Sequence, residues 1–360
     1  MPEDKIENRK ADHLDICISR DVESQAKTTG LEDISFIHRA VPTFKMDEIN
    51  LESMFLGYRL KYPIIIGAMT GGHVKALEFN RKLGELAEEY GIGMGVGSQR
   101  AALNNERLVE TYRVAREVAP SSFLIANIGA PQISTLSDSE LEKIVNMISA
   151  NALAIHLNCL QESIQLEGET SFCCFLESLS NITRKLSIPV IVKETGAGIC
   201  GEDAKKLEEA GVSAIDVSGA GGTSWSAVEY IRGGSELGKI FWDWGIPTAV
   251  SLIECINSVR IPLVASGGIR TGVDIAKSLA LGACAVSISL PFLRAAAKGM
   301  DHLRNYLNSI IKQLKITMYL VGAKTVGDLR KIPLIVTGKT AEWLKLRGFD
   351  ISQYATRIMK

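Results

Sequence analysis

The sequence predicts an α/β protein folded as a (β/α)8 barrel, with an N-terminal arm and a C-terminal helical extension. Three observations predict it. A unit of a short apolar, β-branched run, a polar or Gly-rich turn and an amphipathic helix recurs eight times. Near-continuous apolar runs alternating with helices imply a parallel sheet covered on both faces, and eight such units of about 30 residues suit ring closure. Each run also ends in a polar residue: Thr70, Ser98, Asn127, Asn158, Lys193, Ser218, Ser266 and Ser289. Apolar bodies with polar ends are what a packed barrel with a working C-terminal rim needs. A doubly wound open sheet is the alternative arrangement of the same units.

Taken in order, the runs are "PIIIGAMT" (63–70), "GIGMGVGS" (91–98), "FLIANIG" (123–129), "ALAIHLN" (152–158), "PVIVKET" (189–195), "AIDVSGA" (214–220), "PLVASGG" (262–268) and "AVSISLP" (285–291). Helical patterns such as "LEFNRKLGELAEEYG", "SELEKIVNMISA" and "GEDAKKLEEAG" lie between them. Residues 1–60 form an arm and cap, 61–300 the barrel, and 301–360 an extension expected to pack on it as part of one domain. Lys193 stands apart from the other strand ends. A lysine on a strand otherwise made for burial is costly unless an anion or an electron-rich ligand meets it.

Charge and composition exclude several classes. The net charge is −1, with Lys and Arg scattered, which argues against a broad nucleic-acid surface but not against a small anion pocket. The apolar runs are strand-length, so no membrane span is expected. The charged N-terminus has no signal core, and the expected location is cytoplasmic. The seven cysteines have no framework spacing and read as small buried hydrophobes. The five histidines are dispersed, against a zinc cluster.

"ASGGIRTG" (265–272) closes the seventh strand and opens a helix. Glycines let backbone N–H groups approach a phosphate, and the helix start adds positive potential; a plain tight turn is the other reading. "VSGAGGTSW" (217–225) either cradles a flat polar ligand or forms a mobile lid. "GSQR" (97–100) places Ser98 and Arg100 above the second strand. Arg9, Lys10 and His13 of the arm read, on composition alone, as a solvated charge run. In "HLNCLQE" (156–162), His156 and Asn158 share one strand face. Glu162 has the hard-oxygen chemistry that suits Mg²⁺.

These motifs together resemble the type 2 isopentenyl-diphosphate Δ-isomerases, FMN-dependent (β/α)8 enzymes. The matching stretches are "RKADHL", "AMTGG", "GSQR", "ANIG", "HLNCLQE", "KETGAG", "DVSGAGGTSW", "WGIPT", "ASGGIRTG" and "SLPFL". They run in order over nearly the whole chain. The resemblance implies FMN held by Ala68, Met69, Thr70, Ser98, Asn127, Lys193, Ser218 and Thr223. The flavin phosphate would lie at Gly268, Ile269 and Arg270 and at Ser289 and Leu290. It implies that Arg9, Lys10, Ser98, Gln99, Arg100, His156, Asn158 and Gln161 meet the substrate, isopentenyl diphosphate. Gln161 would be catalytic and Glu162 the Mg²⁺ ligand. Glu169 stands where the family pattern has aspartate, and Ser287 and Ser289 stand where Gly or Ala is usual.

The implied reaction moves a double bond by one position: a proton is added to one carbon and another is lost from a neighbour. A glutamine amide is a poor acid, so reduced FMN would supply the acid–base group, with Lys193 favouring its anionic form. NADPH would prime the flavin without being consumed stoichiometrically. The resemblance also implies a tetramer or octamer. Two other readings share the fold. A hydroxy-acid oxidase would need a late-strand His–Arg cluster, and a nucleotide dehydrogenase a cysteine in the sixth loop; neither is present. A non-catalytic flavin or phosphate binder would not need Gln161–Glu162 or Arg9–Lys10.

Overall fold

The computed structural model describes residues 3–357. Eight parallel strands close into a barrel. They are β1 (Ile64–Ile66), β2 (Gly93–Gly95), β3 (Leu124–Gly129), β4 (Ala152–His156), β5 (Val190–Lys193), β6 (Ala214–Asp216), β7 (Leu263–Ala265) and β8 (Ala285–Ile288). The ring closes where β8 pairs with β1, Val286 opposite Ile64. All eight sequence-predicted strands are present, and the open-sheet alternative is excluded. The helix patterns hold too, as Lys75–Tyr90, Asp138–Met147 and Gly201–Glu209.

The alternation of side chains along each strand makes two cores. Ile65, Ile125, Ala154, Ile191, Ala214, Val264 and Ala285 point inward and fill the barrel. Their neighbours Ile64, Ile66, Leu124, Ala126, Leu153, Ile155 and Val192 point outward against the helices. Two residues further along the same inner face stand Asn127, His156, Lys193, Asp216, Ser266 and Ser287. The polar strand ends are therefore the top layer of the barrel interior. On β2 the inner positions are Gly93 and Gly95, over which Ile65, Phe123 and Ala68 pack closely.

The arm runs from the mouth of the barrel to its floor. Helix Glu3–Ser19 lies at the C-terminal mouth, where Arg9, Lys10, His13 and Leu14 line a cavity. Residues 20–30 then cross the loops after β6 and β7: Ser24 N–H donates to Gly222 O at 2.8 Å, and Glu23 pairs with Arg270. The hairpin of Ser53–Phe55 and Tyr58–Leu60 closes the opposite end. There Phe55 and Leu60 join the interior core, and Phe55 meets Phe123 edge to face at 5.7 Å.

The C-terminal helix Met300–Val321 packs on helices Gly272–Leu281 and Leu290–Ala297. Leu334–Val336 pairs antiparallel with Ile34–Phe36 of the arm. Two expectations need correction. Lys10 and His13 are not a solvated run, because their helix docks over the mouth. Among the cysteines, Cys17 and Cys255 are buried, but Cys159, Cys173 and Cys174 are exposed. Among the described residues no helix is long and apolar enough to cross a membrane.

Candidate active site at the barrel mouth

A cleft with about 1550 Å³ of free space, its open mouth included, lies at the C-terminal end of the strands. Among the described residues its lining holds Arg9, Lys10, Arg100, Lys193 and Arg270 against one carboxylate, Glu162. Such a lining selects anions.

Of the residues the resemblance assigns to FMN, substrate or metal, all but Gln99 line this cleft. Gln99 is fully buried beneath it. Its amide donates to Ile144 O at 2.9 Å and accepts from Asn127 N–H at 2.9 Å. It supports the β3 end and does not reach a ligand.

One side of the cleft is a glycine-packed wall. The loops after β6 and β7 pack glycine against glycine. A Cβ on Gly267, at φ +97°, would stand 2.0 Å from Gly219 O, and one on Gly222 would stand 2.2 Å from Gly268 N. The glycines of "GAGG" therefore serve this close approach, while Ser218 and Thr223 face the cleft. The helix that follows begins with a capping box in which Asp274 accepts from Thr271 N–H at 3.0 Å and Arg270 N–H at 3.2 Å. That changes the reading of Arg270. Its backbone N–H is already taken, and its guanidinium pairs with Glu23 of the arm. Among the described residues the Gly268 and Ile269 N–H groups have no internal acceptor. They are the free donors of this loop, beside Ser287 and Ser289 across from Gly67.

The opposite wall comes from the arm and the loops after β2 and β4. Lys10 Nζ donates to Ser98 O at 2.8 Å. Burial of the ammonium, with Arg9 beside it, lowers its pKa to about 7. His156 Nδ1 stands 2.7 Å from Asn127 Oδ1. Burial, reinforced by Lys193 and Lys10, pushes the imidazole down to about 3. The neutral ring thus donates to Asn127 and leaves Nε2 as an acceptor; it can donate to a phosphate only once an anion favours its protonation. On the floor, Asp216 accepts from Ser266 Oγ. Burial raises its pKa, and Lys193 and Ser266 oppose that shift.

Glu162 is buried, and its carboxylate accepts from Asn158 Nδ2 at 2.7 Å, Gln165 Nε2 and Glu169 N–H at 2.7 Å. The amide oxygens of Asn158 and Gln165 are buried and unpartnered beside it. One carboxylate with neighbouring amide oxygens is a hard-oxygen set that fits a Mg²⁺ retaining waters and sharing phosphate oxygens. Among the described residues no group of three or more His, Cys, Asp or Glu side chains could hold a metal, so a caged transition metal does not fit.

The sequence reading missed Glu229, which lies in helix Trp225–Gly233. It accepts from Gln161 Nε2 at 2.9 Å and Arg232 Nε at 2.8 Å, and lies 2.9 Å from His13 Nε2. Burial opposes its charge, but the bonds from His13 and Gln161 and the charge of Arg232 outweigh burial and lower its pKa to about 2. Burial, with Arg9 and Arg232, lowers the His13 pKa, and the bond to Glu229 and its charge oppose that shift. Only an amide NH2 can face a carboxylate. Glu229 therefore fixes the rotamer of Gln161 and turns its oxygen away, toward the cleft that Gln161 lines. The available signal was Trp225, a cleft residue four positions earlier on the same helix face.

A closed (β/α)8 barrel with glycine-packed loops after β6 and β7 and a cation-lined cleft at its mouth defines the class: a barrel built to take anions at the C-terminal ends of its strands. The family described as FMN-dependent dehydrogenase matches residues 161–335. Solved structures share the fold at low identity. A mandelate oxidase with a monooxide FMN adduct matches at TM-score 0.63 and 19% identity, covering 90% of this chain and 95% of that one. A putative lactate oxidase of Pediococcus acidilactici matches at 0.64 and 17%, covering 93% of each.

Sequence relatives are much nearer. The isopentenyl-diphosphate delta-isomerase of Methanothermobacter thermautotrophicus is 51% identical over 98% of this chain and 99% of its own. Those of Pyrococcus furiosus and Archaeoglobus fulgidus are each 47% identical, over 98% and 94% of this chain and 92% and 99% of their own. The chain belongs to the isopentenyl-diphosphate delta-isomerase family.

Proposed function

We propose that the protein interconverts isopentenyl diphosphate and dimethylallyl diphosphate, with FMN in the β6–β8 cradle and Mg²⁺ at Glu162. The observation that carries this reading is one cleft holding two anion sites with the Gln161–Glu229 pair at its wall. One site is the Gly268–Ile269 cradle; the other is formed by Arg9, Lys10 and Arg100. A hydroxy-acid oxidase would need a late-strand His–Arg cluster as base and carboxylate clamp, which the sequence lacks.

Reduced FMN, when bound, supplies an electron-rich ring able to hold and return a proton. The protein's own groups do the rest. Arg9, Lys10 and Arg100 hold the diphosphate, and a bound anion favours the charged form of Lys10. Glu162, flanked by Asn158 and Gln165, would hold Mg²⁺, which would supply positive charge beside the diphosphate. Gln161 presents its amide oxygen to the alkene, where it steers the moving proton and stabilises positive charge. Lys193, at the top layer of β5, faces the flavin and favours negative charge there. Met69, Leu14 and Trp225 shield the cleft from water. NADPH as the priming reductant, a cytoplasmic setting and a tetrameric or octameric assembly complete the reading; the sequence resemblance supports them.

The test is anaerobic conversion of isopentenyl diphosphate, omitting FMN, NADPH and Mg²⁺ in turn. Isomer should form only with reduced flavin and Mg²⁺, with far less NADPH used than product made. Net oxidation of a hydroxy acid, with no isomer formed, would replace this reading.

The cradle can be probed separately. Gly267→Ala combines left-handed backbone with a methyl 2.0 Å from Gly219 O, and strain of this kind costs about 1–3 kcal/mol. FMN retention through gel filtration should fall at least about tenfold, the equivalent of about 1.4 kcal/mol. A variant that keeps its full flavin complement would move the phosphate elsewhere.

A further inference from the structure

The cationic wall of the cleft is itself held in place. Helix Cys159–Ile164 runs into a loop that carries Glu167 and Glu169 on either side of Gly168. A Cβ on Gly168 would lie 1.7 Å from Glu162 O, so the chain turns hard against the helix end. Gly168 N–H donates to Gln165 O at 3.1 Å, and Glu169 N–H to the Glu162 carboxylate at 2.7 Å. From this anchored turn Glu169 takes the Arg100 guanidinium through Nη2, and Gln132 Nε2 at 2.9 Å. Glu167 takes Arg232 Nη1 at 2.9 Å and lies 3.9 Å from Arg9 Nη1.

Arg9, Arg100 and Gln132 line the cleft, whereas Glu167 and Glu169 do not. The carboxylates therefore grip the arginines from outside. A guanidinium has five donors in a planar fork, so one spent on Glu169 leaves the others for a ligand. A free arginine must surrender much rotamer freedom on binding an anion, and a side chain ordered beforehand does not.

We propose that Glu169, with Glu167 beside it, is a positioning residue of the second anion site, aiming Arg100 and Arg9 into the cleft and tying their placement to Glu162. This rests on the diphosphate reading of that site. The loop links the metal carboxylate to the arginine wall through one residue, since the Glu169 backbone binds Glu162 and its side chain binds Arg100. The opposite possibility is that Glu169 competes with the ligand for Arg100. The two differ in sign.

The experiment is calorimetric titration of the FMN-loaded enzyme with inorganic pyrophosphate and Mg²⁺. It compares wild type, Glu169→Gln, Arg100→Ala and the double variant. Glu169→Gln should bind pyrophosphate about tenfold more weakly, with flavin content unchanged by absorbance. In the Arg100→Ala background the same substitution should add almost nothing, because the two act as a unit. Tighter binding by Glu169→Gln would establish competition and overturn the proposal, as would unchanged affinity. A full additional loss on top of Arg100→Ala would also overturn it, by showing that Glu169 acts elsewhere. Wild-type enzyme that binds no pyrophosphate would overturn the diphosphate reading of the site, and this inference with it.

Discussion

Gln161→Asn is expected to lower kcat by at least about a hundredfold, the lower end of what a positioned proton-transfer group contributes. FMN retention and pyrophosphate affinity should stay close to wild type. The reason is reach. Gln161 Nε2 lies 2.9 Å from Glu229 Oε1, and the same side chain lines the cleft. Asparagine is one methylene shorter, so it keeps the Glu229 bond or the cleft position, but not both. The loss should appear in kcat rather than KM, since the proposed reading sets Gln161 at the reacting carbons and not among the diphosphate anchors.

A companion substitution separates chemistry from position. Glu229→Gln leaves the Gln161 amide in place but removes the charge that decides which end faces inward. It should also depress kcat, and the double variant should lose little more than either single one. Normal turnover by Gln161→Asn would remove Gln161 from the reaction. Normal turnover by Glu229→Gln would show that the Gln161 rotamer is set by something else.

The fold was legible because its signals are local and repeated. A strand such as "VIVK" alternates inner and outer positions, so Ile191 inside predicts Lys193 inside, two residues on. That is why the misplaced lysine pointed to the site. The close approach of the loops after β6 and β7 was legible for a similar reason: adjacent glycines before a helix mark a turn where backbone meets backbone.

What the sequence could not show is how distant segments dock. Lys10 looks solvated in "ENRKADHL" because nothing local says that this helix covers the barrel mouth and meets Ser98, 88 residues away. Glu229 sits in "SAVEYIR", where a glutamate three residues before an arginine reads as an ordinary surface pair. Its burial comes from contact between helices Glu3–Ser19, Cys159–Ile164 and Trp225–Gly233. Gln99 failed in the other direction. The polar run "GSQR" gives no hint that its third residue turns under β3 while the second and fourth face the cleft.

Glu162→Gln should raise the Mg²⁺ concentration for half-maximal activity at least about tenfold, as loss of groups at a metal site commonly does. Mg²⁺-dependent pyrophosphate affinity, read without turnover, should fall in parallel. Three N–H donors converge on the Glu162 carboxylate, from Asn158, Gln165 and Glu169. A glutamine offers one oxygen to them and must turn its own NH2 toward a donor or toward the ion. Either choice costs a hydrogen bond in a buried place, and on the proposed reading the ion loses the one carboxylate among the described residues of the cleft lining. The substitution also loosens the Glu169 turn, so some of the loss should pass to Arg100. Glu169→Gln, which leaves the carboxylate of Glu162 intact, should weaken the anion while leaving the order of metal preference unchanged. If Glu162→Gln leaves the Mg²⁺ titration unmoved, the ion binds elsewhere, and the unpartnered oxygens of Asn158 and Gln165 belong to a water site instead.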